Sequence, residues 1–430
     1  MRLLKEYFPL IGACVAAVAL IFMAGLFLGI TDRKPAPAFR VVIQELKDLT
    51  YNWQAYFADT PTQHLRRRTL EGDGVVVSVP DKMQPGPTFM SGLFGDVLGF
   101  RLVAEDGELL HQWPINFFEI APELMDHQFH ALIHGTVIFP NGDIVANLDG
   151  RGMVRFDKCG EIIWRNASTA HHSIDMDDAG TLWAPTGGIE RTDPRFIALP
   201  SVFDRLVRTD AQTGEVLETL DLFDIMLASD LISIAPHVRE ELHDVTHLND
   251  VEVLDADMAD AFPMFNAGDM VMSMRNIHTI WVVDGETHKI KWWFAGPLRG
   301  QHDPDFQPDG TITVFDNRGR EASAETITDP DRAVGSRILR IDPKTNAYEA
   351  VFQSSDDLLF ATTFRGKHEM LANGNILVAE TDRGRAMEVT AAGELVWSYV
   401  NSYDAERVGW IMRADRLDPS YAEIDWGSCS

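Results

Sequence analysis

The chain reads as an all-β protein, a six-bladed β-propeller preceded by an N-terminal transmembrane helix and a short helical stalk, and three observations predict this. First, one hairpin pattern recurs six times: an apolar strand, a polar turn and a second apolar strand. It occurs at residues 100–113, 153–164, 206–220, 280–294, 338–352 and 386–399. Second, most copies are preceded by another hairpin with an Asn-Gly or Asp-Gly type turn, at 134–147, 172–185, 302–315 and 368–380. Two hairpins make four short strands per repeat, and repeats of this size indicate a propeller. Third, residues 10–30 (LIGACVAAVALIFMAGLFLGI) carry no charge. That is about the 20 residues a helix needs to span a bilayer.

The apolar run is too long for an ordinary signal peptide and no convincing cleavage site follows it, so it reads as an uncleaved signal anchor. Arg2 and Lys5 precede it, while Arg33, Lys34 and Arg40 follow it. With a tip this short, an inside N-terminus is the simpler insertion. The expectation is a single-pass protein of the inner (cytoplasmic) membrane with its propeller facing the periplasm or cell exterior. Lys34-Pro35-Ala36-Pro37-Ala38 is a stiff linker, and 39–58 has the helical spacing of a stalk. The domain plan is then 1–33 for tip and anchor, 34–73 for linker and stalk, and 74–430 for the propeller. Residues 221–242 have a helical pattern and read as an excursion between blades. The tryptophans that close many hairpins read as core between the sheets. Of the three cysteines, Cys14 lies in the apolar run. Cys159 and Cys429 either pair, which an oxidising compartment would allow, or remain two free thiols.

The formal net charge is -28, and no basic stripe is present that could track phosphates, so nucleic acid is excluded as a partner. An anionic substrate would be repelled at long range and needs a local cationic site. The histidines supply one. In a propeller the first strand of a blade is innermost, so a histidine opening that strand faces the axis. His134, His172 and His302 each stand eight residues before a turn glycine. His247 opens the corresponding strand of the fourth repeat, and His368 stands six residues before Gly374. A lone strand histidine is usually packed structure; recurrence at one register argues for more. Arg275, Arg318, Arg320, Arg383 and Arg385 accompany them, although the Gly-Arg pair repeats in two blades and could be scaffold. Several imidazoles with one or two guanidinium groups suit a compact oxyanion.

The blocks THLNDVEVLD, GDMVMSMRNIHTIWVVD, KIKWWFAG, GQHDPDFQPDGTITVFDNRGR and LANGNILVAETDRGRAMEVTAAGELVWSY, in that order, resemble the bacterial arylsulfotransferases that do not use nucleotide-activated sulfate. The resemblance covers about residues 130–400. It implies a six-bladed propeller that moves a sulfuryl group from a phenolic sulfate ester to a phenolic acceptor, ping-pong, through a sulfated histidine. By matching blocks, His247, His302 and Arg320 correspond to site members and His368 to the nucleophile; Asn249, Arg275, His172 and His134 are expected to bind substrate. No cofactor and no metal are implied, and no GxxxxGK phosphate loop is present for a nucleotide sulfate. Sulfuryl transfer, like phosphoryl transfer, spreads charge over three oxygens, so positioning and cationic stabilisation carry the catalysis.

Two rivals stand beside this. Converging histidines could hold zinc with an open position, and Asp250, Asp303 and Asp305 could join a calcium site, giving a metal-dependent propeller lyase or hydrolase. A membrane-tethered binding propeller without catalysis is the other, since fold does not fix function. Metal analysis of the purified protein separates the first from sulfuryl transfer: a stoichiometric, tightly bound ion is expected only of the metalloenzyme.

Overall fold

The computed structural model describes residues 20, 22, 23, 25, 62–116, 120, 132–148, 150–193, 197–231, 244–318, 335–427 and 429. The chain divides into two compact units, 1–63 and 64–430. Almost all of the predicted span and stalk lies outside the described residues, and no helix among the described residues is long and apolar enough to cross a membrane.

The second unit is the predicted six-bladed wheel. Blades 2 to 5 are consecutive four-stranded antiparallel sheets whose first strands are Thr136–Ile138, Asp175–Met176, Leu248–Val253 and His302–Phe306. Each of the six hairpins read from sequence forms the third and fourth strands of a blade, such as Thr279–Val283 with Ile290–Phe294 in blade 4. The ring closes twice. The C-terminal strand Ile411–Arg416 is innermost in blade 1, pairing with Thr88–Phe94. The N-terminal strand Gly74–Ser78 is outermost in blade 6, pairing with Leu395–Val400. Leu65–Arg67 adds a short ribbon with Arg407–Gly409. A disulfide joins Cys159, in a hairpin turn of blade 2, to Cys429, so the second of the two cysteine readings holds no longer and the C-terminus is tied to the wheel. The excursion after blade 3 begins with a helix, Leu222–Ala228, whose N-terminal amide of Phe223 is capped by the Asp221 side chain; residues 232–243 lie outside the described residues.

Six apolar clusters lie between neighbouring blades. Trp113, Trp281 and Trp397 are fully buried in three of them, as the sequence pattern predicts. Among the described tryptophans Trp293 is the exception, with 45% of its surface exposed.

Each innermost strand pairs on one side only. Its other edge would leave backbone N–H groups unpaired next to the channel, at a cost of about 1–3 kcal/mol per buried group. Side chains of the preceding blade take these donors. Val251 N donates to Ser173 Oγ at 2.9 Å and Val253 N to Asp175 Oδ2 at 2.7 Å. Phe306 N donates to Glu252 Oε2 at 2.6 Å, His368 N to Asp303 Oδ2 at 2.5 Å and Arg416 N to Glu369 Oε2 at 2.8 Å. Between blades 2 and 3 the strands approach too closely for any side chain: a Cβ on Gly135 would lie 2.4 Å from the His172 carbonyl oxygen.

Asp175→Ala removes one of these acceptors and is expected to lower unfolding stability by about 1–3 kcal/mol, whereas Asp175→Asn, which keeps an oxygen for Val253, recovers most of it. Denaturant midpoints of the two variants check this, and equal losses would show that the bond to Val253 is not the cause.

Candidate active site in the channel

The innermost strands share one register, marked by the residue that closes each strand: Phe139, Asp177, Leu254, Gln307, Leu371 and Leu417 all donate N–H to the partner strand. Five positions before these stand His134, His172, Asn249, His302, Gly366 and Met412. Four before stand Gly135, Ser173, Asp250, Asp303, Lys367 and Arg413; two before stand Val137, Asp175, Glu252, Asp305, Glu369 and Asp415. The axis is therefore tiered: histidines at one end, a mixed-charge belt, then carboxylates from five of six blades. Adjacent tiers reach the axis together because register irregularities at Leu248/Asp250, His302/Pro304 and Ile411/Arg413 interrupt the normal alternation of faces.

One cavity is lined by the first-tier residues together with Ser173, Asp250, Arg365 and Lys367. A second, at the other end, is lined by the carboxylates, His368 and Arg413, and shares Ser173, Asp250 and Lys367 with the first. The belt thus separates the two. Lys367 Nζ binds Asp250 Oδ2 at 3.1 Å and also Asp303 Oδ1. Burial opposes its charge, but the two carboxylates outweigh this and hold its pKa above the ordinary lysine value. Burial likewise opposes ionisation of Asp303, yet Lys367 and the hydrogen bond from His368 keep its pKa below the ordinary value. Asp250 is pushed up to about 6 by burial, against the pull of Lys367.

In the histidine chamber His134 and His172 lie with ring centroids 4.7 Å apart; His247, which does not itself line the cavity, packs behind them against His172 at 4.8 Å. His172, φ 57°, shares a hydrogen bond with its neighbour, Nδ1 to Nδ1 at 2.7 Å from His171. His172 is held well below the ordinary histidine pKa by burial and then by the surrounding imidazoles, so it is neutral. His247 binds the Asp244 carboxylate through Nδ1, which leaves Nε2 as its lone-pair nitrogen. Burial opposes the Asp244 charge, but His247 outweighs it and lowers the carboxyl pKa. His302 Nδ1 donates to Asn317 Oδ1 at 2.8 Å, and its Nε2 accepts from the Arg365 backbone N–H at 3.0 Å. Burial, then the charge of Arg275, lowers the His302 pKa well below the ordinary value. Asn249 Nδ2 donates to Gln301 O at 2.8 Å, and among the described residues its buried Oδ1 has no hydrogen-bond partner.

The structure gathers His134, His172, His302 and Asn249 around one cavity, with His247 against His172 and Arg275 acting on His302. His368 is placed elsewhere. It stands three positions before Leu371, in the register of Thr136, Ile174, Val251 and Pro304, and lies among the carboxylates. Its Nδ1 binds Asp303 Oδ2 at 2.9 Å and its Nε2 binds Thr313 Oγ1 at 2.8 Å. The spacing of six rather than eight residues to Gly374 was the signal, since eight back lands on Gly366. His247, likewise, stands two residues ahead of the ring register, which Asn249 occupies. Arg320 lies outside the described residues.

Sequence reasoning passed over Arg365, Lys367, His171 and Asp244. Arg365 has φ 69°, and a non-glycine residue held there commonly marks a functional site. Its guanidinium stacks 4.0 Å from the Trp410 ring centroid, and its Nε lies 3.4 Å from His134 Nε2. It follows that blade 6 brings a cation to the chamber where blades 2, 3 and 5 bring imidazole.

The family model for Arylsulfotransferase (ASST) matches residues 135–402, more than half of the chain. The chain belongs to the arylsulfotransferase family. The match spans the strands that carry every first-tier residue except Met412, together with His247 and Arg365, while His134 falls one residue before it. No curated protein matches. Solved structures with some likeness include a protein of unknown function from Bacteroides caccae, at 10% identity over 76% of this chain and 98% of that one, TM-score 0.47. A streptogramin B lyase is similar at 12% identity over 79% and 88%, TM-score 0.42. The Pan2 WD40 domain of Neurospora crassa is similar at 10% over 76% and 86%, TM-score 0.41.

The histidine end of the channel is lined by imidazoles and a guanidinium, and the other end by carboxylates. Asp303, Asp305 and His368 there place donor atoms within 4.8 Å of one another, a set that could hold a divalent ion, although Lys367 already neutralises Asp303.

Glu369 is pushed up to about 7, first by burial and then by Asp415. A carboxyl raised above its unfolded value stabilises the fold below the unfolded pKa and loses that contribution as pH climbs through the folded one. Stability is therefore expected to fall between about pH 4.5 and 7. Glu369→Gln, which keeps an acceptor for Arg416 N, should flatten the fall; thermal melts of both proteins across this range check it, and parallel curves would contradict it.

Proposed function

We propose that the protein is an aryl sulfotransferase of the family's ping-pong type. It takes the sulfuryl group of a phenolic sulfate ester onto His247, which packs against the chamber histidine His172, and passes it to a phenolic acceptor. The observation that carries this is a chamber lined by imidazoles and a guanidinium in a chain of net charge -28. Arg365, with the block-matched Arg320, supplies positive charge for the sulfuryl oxygens. His247 is the imidazole best equipped to be sulfated: Asp244 holds its Nδ1 proton and leaves Nε2 to attack sulfur. His368, the match by block order, has an equivalent carboxylate at Nδ1, but its side chain is fully buried beside acids that repel a sulfate ester. The unpartnered Asn249 Oδ1 suits the hydroxyl of the acceptor. The Cys159–Cys429 disulfide favours an oxidising compartment, consistent with a propeller held outside the cytoplasm by the N-terminal apolar run.

Incubation with 4-nitrophenyl sulfate, with and without phenol, tests the reading. Phenol-dependent release of nitrophenol is expected. His247→Ala should abolish it, and Arg365→Ala should lower kcat/KM by roughly 10²–10³, the loss typical of one transition-state donor. Activity abolished by His368→Ala and retained by His247→Ala would return the nucleophile to the position read from block order. No phenol-dependent release with any aryl sulfate would overturn the reading in favour of a binding propeller.

A further inference from the structure

We propose that His171 and His172 form a proton store that serves both halves of the transfer, with His171 acting through His172; this rests on the sulfuryl-transfer reading. Two Nδ1 atoms 2.7 Å apart cannot both be bare and cannot both be protonated, so a single proton lies between them. Lining the cavity is His172, whose other neighbours are His134, His247 and His302. Behind it, His171 Nε2 faces Asp204 Oδ1 at 3.9 Å. Asp204 is fixed by Thr246 Oγ1 at 2.6 Å and Leu248 N at 2.7 Å. Burial, and then the charge of Asp244, raise the Asp204 pKa above the ordinary carboxylate value, while His171 and the bonds from Thr246 and Leu248 oppose this. The arrangement therefore runs from a buried carboxylate, through an imidazole that can hold a positive charge, to a neutral imidazole at the cavity wall. His172 is kept there with a left-handed backbone, φ 57°.

The proton count closes. In the first half, a histidine nitrogen bonds to sulfur and the S–O(aryl) bond breaks. The departing phenolate takes the proton on His172 Nε2, while His172 Nδ1 takes the shared proton from a His171 imidazolium, which becomes neutral. In the second half, the acceptor phenol gives its proton to His172 Nε2, its oxygen bonds to sulfur, and the N–S bond breaks. The shared proton returns to His171. No net proton enters or leaves: the stored charge sits on His171, facing Asp204, before the transfer begins, is spent while the sulfated histidine waits, and is restored when the acceptor is sulfated.

The test is dependence on leaving-group acidity. Phenol, with a pKa of about 10, needs a proton to depart, whereas nitrophenol does so far less. His171→Asn keeps a donor toward His172 but cannot ionise. It is expected to lose roughly 10²–10⁴ in kcat/KM with phenyl sulfate and only a few-fold with 4-nitrophenyl sulfate. Equal losses with both donors, or none, would overturn the store while leaving the transferase reading intact. Wild-type protein inert with every donor would overturn that reading and the store's role together. A second measurement needs no turnover: proton NMR of histidine-labelled protein should show a far-downfield shared N–H that disappears in His171→Phe, and its absence from the wild type would rule out the shared proton.

Discussion

Six innermost strands surround an axis, and each has one sheet edge with nothing further to pair with. The whole channel depends on how those edges are satisfied. A backbone donor buried without a partner is costly, so the blade before each strand offers a side chain. Asp175 does this for Val253, Glu252 for Phe306, Asp303 for His368 and Glu369 for Arg416. Three of the five ring carboxylates, Asp175, Glu252 and Glu369, are thus hydrogen-bonding devices between blades, and Asp303 does the same from the belt tier.

That solution has an electrostatic consequence. Carboxylates at close range raise one another's pKa, and burial adds to this, as at Glu252 and Asp305, both held well above ordinary values by burial first. Lys367 and Arg413 offset the accumulated charge at the belt, each held in its cationic form against burial by carboxylates, Asp250 first for Lys367 and Asp415 first for Arg413. On the far side the axis is lined by imidazoles and Arg365. One fold thereby offers two ends of opposite character.

The wheel itself was legible because its signals are local. Hairpins with glycine turns and alternating apolar residues announce themselves within about a dozen residues, and six of them at similar spacing leave few architectures. The tryptophans reached the inter-blade clusters for the same reason. Site membership was legible only in part. His134, His172 and His302 stand in a common register because each precedes a regular turn by the same count. His247 and His368 depart from that count, and two residues along a strand, or one bulge, decide which tier a side chain joins. Asp244 stands three residues before His247 and Arg365 beside the register glycine Gly366, signals that histidine counting overlooked.

The sequence by itself determined a propeller of six blades, the core positions of its tryptophans and a set of axis-facing histidines, because these depend on periodicity and turn chemistry. Only the tertiary structure decided that Cys159 meets Cys429 across 270 residues, that His171 and His172 share a hydrogen bond in front of Asp204, and that His368 lies in the acidic tier rather than the histidine one. Those outcomes depend on contacts between blades distant in sequence and on sub-residue shifts of register, and the physics that fixes them, closure of the ring and satisfaction of its inner edges, acts only once all six blades are in place.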